Sequence, residues 1–315
     1  MPALLDRPTL LTVRRLALAS VVANSAIVVT GGAVRLTGSG LGCPTWPNCT
    51  ESTLTPTPEY AAHGLIEFGN RLLTFVLLAV VLAALVAVWR TRPVRPGLRR
   101  LAVLGVLGIP AQALLGGITV LTGLNPWTVM GHLLVSMVLI AIAVVLHFRV
   151  ASIGAPPRPG VPRPLRRLGT GLLVLVGATL AVGAVVTGSG PHSGDPAAGR
   201  TGLDPESVTQ LHADLVFLLV GVTVAFYVAL RASDSPPEAV RAMGVLLVVE
   251  LAQGVIGFAQ HLTGLPVLLV GLHLVGACAV VVAAVRAVLL LRPVDGSDPA
   301  PPEATRLALS AAATR

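Results

Sequence analysis

Residues 111–132, AQALLGGITVLTGLNPWTVMGH, return 141 residues later as residues 252–273, AQGVIGFAQHLTGLPVLLVGLH. The two stretches share an initial Ala-Gln, the glycine at their sixth position, Leu-Thr-Gly-Leu and a final histidine, without a gap. Thr-Gly-Ser-Gly also occurs twice, at 37–40 and at 187–190, and each copy is followed by a histidine at nearly the same distance. An internal repeat of this kind predicts two similar halves. It singles out four of the seven histidines, which are His63, His132, His212 and His273.

The composition is that of a membrane protein. Hydrophobic residues make up 54% of the 315 residues and charged residues 11%, and apolar runs long enough to cross a bilayer recur along the chain. Because backbone in lipid must satisfy its own hydrogen bonds, such runs are expected to be helices. We predict eight spans, at about 13–36, 63–89, 98–121, 129–149, 168–187, 208–230, 239–261 and 267–291. The predicted fold is an all-α integral membrane protein, with eight transmembrane helices in two tandem, pseudo-symmetric four-helix bundles.

The basic residues are all arginines, and their positions predict the topology. Most lie before the first span, between spans two and three, between spans four and five, and after the last span. The opposite loops contain acids instead, including Glu51, Asp195 and Asp204. This positive-inside distribution predicts a multi-pass protein of the cell membrane with both termini in the cytoplasm. The net charge of +8 therefore reflects the topology of the protein in the membrane. Membrane lipid is the expected partner, and no nucleic-acid partner is expected.

The repeat also gives the expected domain boundaries. Residues 1–150 form an N-terminal four-helix half, in which the first apolar run is a span and not a cleaved signal peptide. Residues 151–167 form a cytoplasmic linker rich in proline and arginine, and residues 168–292 form a C-terminal four-helix half. Residues 293–315 are expected to be a disordered cytoplasmic tail.

Cys43 and Cys49 lie in GCPTWPNC, within the first long loop on the predicted outer side. A disulfide persists in an oxidising compartment, and the short interval between these cysteines can be bridged. The pair is either a structural staple or a redox-active pair, and the residues leave both interpretations open. The matching loop of the second half, 190–207, contains no cysteine, so the pair belongs to one half only.

The four repeat-related histidines are expected near the outer ends of spans two, four, six and eight, where they can converge at one depth. A single histidine in a membrane helix is usually explained by a hydrogen bond between helices. Polar side chains at four equivalent positions instead indicate a function inside the bundle. Two histidines that face each other across a bundle suit axial ligation of a haem iron. A zinc site is less favoured, because no cysteine or carboxylate cluster shares their spacing.

Glu67 is a candidate catalytic acid. It lies four residues after His63, on the same face of a helix and within an apolar segment. The alternative is a structural role as the partner of Arg71, again four residues further on. For the other acids within spans, we expect Asp214 to orient a neighbour and Glu250 to pair with an arginine or a polar side chain.

Together these motifs resemble those of the haem A synthase family. The resemblance rests on GGAVRLTGSGLGCP at 31–44, on IEFGNR at 66–71 and on the order of the histidines, and it covers about residues 14–292. It implies oxidation of the C8 methyl group of haem O to a formyl group, by two hydroxylations and loss of water from a geminal diol. The implied partners are a haem O synthase, cytochrome oxidase assembly, and an electron acceptor that the sequence does not identify.

The resemblance also implies roles for single residues. His212 and His273 match the ligands of a haem b in the C-terminal half. His132 matches one histidine of the N-terminal half, which holds the substrate haem. Glu67 matches the catalytic acid, which stabilises positive charge at the carbon being oxidised, and the two loop cysteines match the cysteine pair of the family.

One position departs from the family pattern. The family commonly has Ile-Glu-x-x-His-Arg, and this chain has Asn70 in place of the histidine. Asn70 and His212 lie 20 and 19 residues before the arginines that end their spans, which places Asn70 at the depth of a ligand. The Thr-Gly-Ser-Gly spacing instead favours His63, seven residues or roughly 10 Å further out on the same face. We expect His63 and His132 to serve the substrate haem; the alternative is ligation by His132 with the other side weak or open.

Two other classes of protein stay open at this point. A di-haem cytochrome b that passes electrons to a quinone would explain four histidines, but it would leave Glu67 and the cysteine loop without a role. A transporter is suggested by the tandem repeat, but it would be expected to have broken helices and polar groups at the membrane midplane.

Overall fold

The computed structural model describes residues 8–92 and 95–294, and within these ranges the chain forms eight long α-helices. They are α1 (Leu10–Leu36), α2 (Ala61–Arg90), α3 (Pro96–Leu121), α4 (Pro126–Ala151), α5 (Arg163–Ser189), α6 (Pro205–Ala232), α7 (Pro237–Leu262) and α8 (Val267–Leu290). A short 3-10 turn, Pro58–Tyr60, precedes α2. Each of the eight helices is long and apolar enough to cross a membrane, so the protein is a multi-pass membrane protein.

The structure confirms the predicted number and order of the spans. Seven of the eight helices begin before the predicted span, by up to five residues at α5. The first turns of several helices contain proline, as at Pro96, Pro126, Pro205 and Pro237. Proline is favoured at the first helical position because the missing N–H would have no partner inside the helix. Hydropathy alone therefore placed these helix starts too late.

The helices pack as two rings of four. In the N-terminal half, α1 and α3 each contact α2 and α4; in the C-terminal half, α5 and α7 each contact α6 and α8. The halves meet where α4 contacts α5 and α8, and where α1 contacts α8. A buried apolar cluster that includes Ile140 of α4 and Cys278 of α8 fills this junction. Cys278 is therefore a packing residue between the halves.

The repeated Leu-Thr-Gly-Leu sequences form the same turn. Gly123 and Leu124 after α3, and Gly264 and Leu265 after α7, have φ between 58° and 77°. In each turn the leucine N–H donates to a carbonyl five residues earlier, at 2.9 Å after α3 and 2.7 Å after α7. Glycine adopts positive φ easily, and the backward hydrogen bond satisfies a carbonyl at the end of the helix. The sequence repeat is thus also a repeat in local structure.

A contact between helices repeats at the same spacing. The side-chain amide of Gln112 on α3 donates to the His132 carbonyl on α4 at 3.0 Å, and Gln253 on α7 donates to the His273 carbonyl on α8 at 2.8 Å. Equivalent residues therefore make equivalent contacts in the pairs α3–α4 and α7–α8. This agreement is consistent with two tandem halves.

The end of the molecule that carries loops 37–60 and 190–204 is here named the disulfide end. Loop 190–204 follows α5 but contacts the N-terminal half. Arg35, near the end of α1, donates to the carbonyls of His192 at 2.6 Å and Thr187 at 2.9 Å. The Gly40 N–H donates to the Gly194 carbonyl at 2.9 Å. These hydrogen bonds join the two halves at the disulfide end.

The linker between the halves lies at the opposite end, the linker end. Its Arg158 forms an isolated β-bridge with Val294, and its Val161 N–H donates to the Leu291 carbonyl at 3.0 Å. The linker is therefore attached to the chain just after α8. We expected residues 293–315 to form a disordered tail. Residues 295–315 lie outside the described residues.

Candidate active site

The loop between α1 and α2 contains a disulfide. Cys43 and Cys49 are bonded to each other and are 0% and 1% exposed. Residues 43–49 are named the disulfide loop below. The chain just before this loop lies flat on α2, because Gly42 packs against the backbone of His63 and Gly64, where any side chain would collide. Glycine allows this close approach of two backbones.

Glu67 of α2 lies beneath the disulfide loop. Its side chain is 6% exposed, and both carboxylate oxygens are held. Oε2 accepts a hydrogen bond from the Cys43 N–H at 2.7 Å, and Oε1 accepts one from the Arg71 guanidinium at 2.6 Å. Hydrogen bonds that involve ionised groups are the stronger ones at such distances. The ion pair with Arg71 that the sequence suggested is thus present, and the same contacts fix the carboxylate in place.

The disulfide loop also reaches α3. The indole of Trp46 lies against Gly117, where a Cβ would come within 2.5 to 2.9 Å of three ring atoms. The next residue back, Gly116, faces the ring of His132, and a Cβ there would lie 3.3 Å from the histidine Cε1. The loop therefore covers Glu67 with its first residue and packs its indole on the helix that faces His132. Glu67 and His132 belong to one end of the N-terminal half.

Three of the four predicted histidines have equivalent surroundings. Each ring packs against a glycine of the preceding helix, and each ring Nδ1 is buried without a hydrogen-bond partner in the described part of the chain. The pairs are His132 with Gly116, His212 with Gly183, and His273 with Gly257. A buried polar atom without a partner is uncommon in proteins and requires an explanation. The shared arrangement indicates one shared role.

These histidines fit a group that is held by two ligands. His212 lies on α6 and His273 on α8, and both helices belong to the ring of four helices in the C-terminal half. Across residues 8–92 and 95–294, no three or more histidine, cysteine or acidic side chains gather as the ligands of a metal ion would. A haem needs only two axial ligands, and its flat ring needs the space that small residues leave beside them. The residues present are therefore compatible with haem.

The fourth predicted histidine, His63, has different surroundings. It is exposed, and its Nδ1 shares a hydrogen bond of 2.8 Å with the Ser39 hydroxyl. Asn70 instead faces a glycine of the preceding helix, Gly31, as the other three histidines do. Its Oδ1 accepts a hydrogen bond from the Thr30 hydroxyl at 2.8 Å. The two candidates on α2 thus lie in different layers, His63 beside the loop and Asn70 between helices.

A second buried acid lies in the C-terminal half. Glu250 of α7 is 3% exposed, and its Oε1 accepts a hydrogen bond from the Thr223 hydroxyl of α6 at 3.0 Å. Its Oε2 has no partner among the described residues. Asp214, by contrast, is near the surface and accepts a hydrogen bond from Gln210 at 2.7 Å. Both acids therefore contact a polar neighbour, as the sequence suggested.

Sequence reasoning assigned no role to several residues that build the site. The two glutamines that bond the histidine carbonyls could have been found, because Gln112 and Gln253 occupy matching positions in the repeat. Of the glycines that pack against the histidine rings, Gly116 and Gly257 also occupy matching positions in the repeat, so the sequence could have identified these two. It could not have identified Gly183 in this way. The contacts of Trp46 and Ser39 depend on how a long loop folds back, and the linear pattern contains no sign of them.

Comparison with known proteins identifies the family. Residues 14–191, more than half of the chain, match the COX15-CtaA family model, described as cytochrome oxidase assembly protein. Similar proteins include the heme A synthases of Lysinibacillus sphaericus (strain C3-41), 33% identical over 140 residues, and Bacillus pumilus (strain SAFR-032), 35% identical over 127 residues. These matches cover 44% and 39% of this chain, and the chain spans only 44% and 40% of the length of the two relatives. The family match contains the disulfide loop, Glu67 and His132, and the chain therefore belongs to the family of cytochrome oxidase assembly proteins.

Proposed function

We propose that the protein is a haem A synthase, which oxidises the C8 methyl group of haem O to a formyl group for cytochrome oxidase. The observation that carries this proposal is the buried Glu67 carboxylate, fixed under the disulfide loop at the same end of the N-terminal half as His132. A fixed carboxylate stabilises the positive charge that develops on a carbon as electrons leave it. The similar proteins named above, which are called heme A synthases, support the same activity.

The substrate haem is assigned to the N-terminal half, because Glu67 and the disulfide loop occur only there. His132 is its first ligand. His63 is the second candidate, since the contact between its Nδ1 and Ser39 is of the kind that orients an imidazole to bind iron through Nε2. Ligation that is weak on one side would suit a substrate that must enter and a product that must leave.

A resident haem b is assigned to the C-terminal half, where His212 and His273 would hold it. A haem held by two histidines would supply single-electron transfer. Glu67 matches Val216 if His63 is the equivalent of His212, and Thr209 if Asn70 is, so neither alignment places an acid there. The C-terminal half therefore has the ligand pair without the acid that the reaction requires, which favours electron transfer and not oxidation of a substrate there.

The chain's own residues have three tasks in this proposal. Glu67 holds negative charge next to the reacting carbon, and His132 fixes the position of the substrate. The disulfide loop covers the carboxylate and keeps water away from it, which strengthens the electrostatic effect of Glu67. Conversion of a methyl to a formyl group removes four electrons, so the reaction also requires an electron acceptor as a partner.

The arginine distribution supports a location for this activity. The linker end is assigned to the cytoplasm, together with both termini, and the disulfide end to the outer side of the cell membrane. An oxidising outer side suits the Cys43–Cys49 disulfide. A haem O synthase in the same membrane would supply the substrate.

The proposal is tested by extracting pigments from membranes that express the protein together with a source of haem O. Glu67→Ala and Glu67→Gln are expected to abolish haem A and to leave haem b bound. Glu250→Gln is the matched control, because it alters a buried acid in the other half, and it should retain both pigments. Haem A that persists in the Glu67 variants would show that a different acid acts.

The same extraction separates the rival functions. Bound haem b without any haem A in the unaltered protein would contradict the synthase assignment and favour an electron-carrying cytochrome b. A purified protein that contains no haem would contradict both assignments and favour a transporter.

A further inference from the structure

Arg71 is the centre of the contacts that hold the disulfide loop. Its two terminal nitrogens donate to the carbonyl of Cys43 at 2.9 Å, to the carbonyl of Thr45 at 3.1 Å from each nitrogen, and to the carbonyl of Asn48 at 3.1 Å. The same guanidinium donates to Glu67 Oε1 at 2.6 Å. One side chain therefore bonds both ends of the loop and the acid beneath it.

These contacts close a ring of hydrogen bonds. The Cys43 N–H donates to one oxygen of Glu67, Arg71 donates to the other oxygen, and Arg71 also donates to the Cys43 carbonyl. Cys43 is in turn bonded to Cys49 through the disulfide. A movement of the loop would therefore change both partners of the Glu67 carboxylate at once.

The geometry requires an arginine at this position. The planar guanidinium carries its donors in a fixed fork, and its four terminal N–H groups match three loop carbonyls and one carboxylate. A lysine would preserve the positive charge next to Glu67, but its compact ammonium has only three donors at a single point. Arginine and lysine at residue 71 would thus be equal in charge and unequal in their hold on the loop.

The far side of the loop is held independently. Trp46 packs on Gly117 of α3, so the loop is attached to α2 through Arg71 and to α3 through an indole. The loop is consequently a cover with two attachments, and only the attachment on α2 includes the acid.

We propose that Arg71 is a positioning residue, which joins the disulfide loop and the Glu67 carboxylate into one unit so that the acid's orientation depends on an intact loop. The inference deepens the proposed function and rests on it, because the orientation of Glu67 matters for catalysis only if this carboxylate stabilises charge at the reacting carbon. Its structural part, the coupling between loop and carboxylate, can be measured without any substrate.

The measurement is infrared difference spectroscopy of the purified full-length protein before and after reduction of the disulfide with a phosphine. The contribution of Glu67 is identified by its absence in Glu67→Gln. The double variant Cys43→Ser, Cys49→Ser has no disulfide to reduce, so its difference spectrum contains only the changes that the phosphine causes elsewhere. These changes are subtracted from the spectrum of the unaltered protein. In the unaltered protein, reduction should shift the carboxylate bands of Glu67.

Three variants then separate the loop contacts from the charge. In Arg71→Gln and in Arg71→Lys, the Glu67 bands should already be shifted in the oxidised protein, and reduction should change them little. Arg35→Gln is the matched control: Arg35 also donates to backbone carbonyls at the disulfide end, but to those of His192 in loop 190–204 and of Thr187 in the last turn of α5. It should respond to reduction as the unaltered protein does. If Arg71→Gln is not folded, Arg71→Lys carries the test alone.

The rate of disulfide reduction provides a second measurement. Loss of the Arg71 contacts should make the disulfide about tenfold faster to reduce, equivalent to about 1.4 kcal/mol, whereas Arg35→Gln should leave the rate unchanged. The inference is wrong if no band that depends on Glu67 responds to reduction, or if Arg71→Lys behaves like the unaltered protein. Normal coupling without haem A formation would instead contradict the proposed function and leave the coupling intact.

Discussion

Gly183→Ala should displace His212 and thereby remove haem b from the C-terminal half. Gly183 on α5 faces the ring of His212, and a Cβ built on residue 183 would lie 2.9 Å from the ring Cε1. Ordinary contacts of this kind begin at 3.4 Å, so restoring one requires the ring to move by 3.4 − 2.9 = 0.5 Å. Distances between a metal and its ligands vary by only about 0.2 Å. The required movement is therefore larger than an axial ligand tolerates.

The direction of this effect opposes helix propensity. Alanine is favoured over glycine inside a helix by about 1 kcal/mol, so the substitution by itself should stabilise α5. Crowding a packed interface costs about 1–3 kcal/mol. Overall stability should thus change little, while haem binding should fall because the ligand ring is the group that is pushed. A loss of haem without unfolding is the expected result.

The assay is the ratio of haem to protein after purification, together with the reduced-minus-oxidised absorbance spectrum. Gly177→Ala is the control on the same helix, because nothing lies within 4 Å of a Cβ at that position. Gly257→Ala should be intermediate, since its Cβ would lie 3.3 Å from the His273 ring. If Gly183→Ala binds as much haem as Gly177→Ala, with the same spectrum, the assignment of His212 as a ligand is refuted.

Three further predictions concern other parts of the chain. Asn70→His should strengthen binding of the substrate haem if residue 70 faces the iron. A loss of binding in His63→Ala would instead identify His63 as the ligand. Titration of each variant with haem O distinguishes these two outcomes. Thr223→Val removes the hydrogen bond to the buried Glu250, and it should lower the free energy of unfolding by about 1–3 kcal/mol relative to Thr223→Ser, as measured by denaturant titration in detergent. Asp204 caps the N-terminus of α6, and hydrogen bonds from Ser207 hold the pKa of its carboxyl group below the usual 3.8. The stability that this cap contributes is therefore present above pH 3.8 and is lost as the pH falls through the lowered pKa. Hydrogen-exchange protection of the first turn of α6 should follow this pH dependence, and Asp204→Asn should abolish it.

Much of the fold follows from local features of the sequence. Apolar runs give the eight spans because a membrane requires helices, and the arginines and acids mark their ends. The repeated Leu-Thr-Gly-Leu turns were also encoded locally, since Gly123 and Gly264 supply the positive φ that closes each helix. The first residues of the helices were less well predicted, because proline and polar residues belong to the first turn without belonging to the apolar run.

The site was predictable only in part. Glu67 stood out because a polar group within an apolar span is costly, and the repeat singled out His63, His132, His212 and His273. The position of His63 could not be resolved, because two spacings in the sequence pointed to different residues, and Asn70 occupies the place between helices that a histidine fills elsewhere. The hold of Arg71 on the disulfide loop was invisible for another reason. It joins backbone carbonyls, and carbonyl positions depend on how the loop folds and not on which side chains it contains.

The hydrogen bonds of Arg35 across the junction have a consequence for the origin of the molecule. Alignment of the Thr-Gly-Ser-Gly sequences matches residue 35 with Val185, which has no side-chain donor. The contact therefore runs in one direction, from the first copy to the loop of the second. A symmetric dimer of identical units would present each contact twice, because its interface is isologous. The helix contacts at the junction are still paired in this way, α1 with α8 and α4 with α5. The Arg35 contact occurs only once, so the copies are no longer interchangeable, and joining them in one chain permits them to differ where they touch.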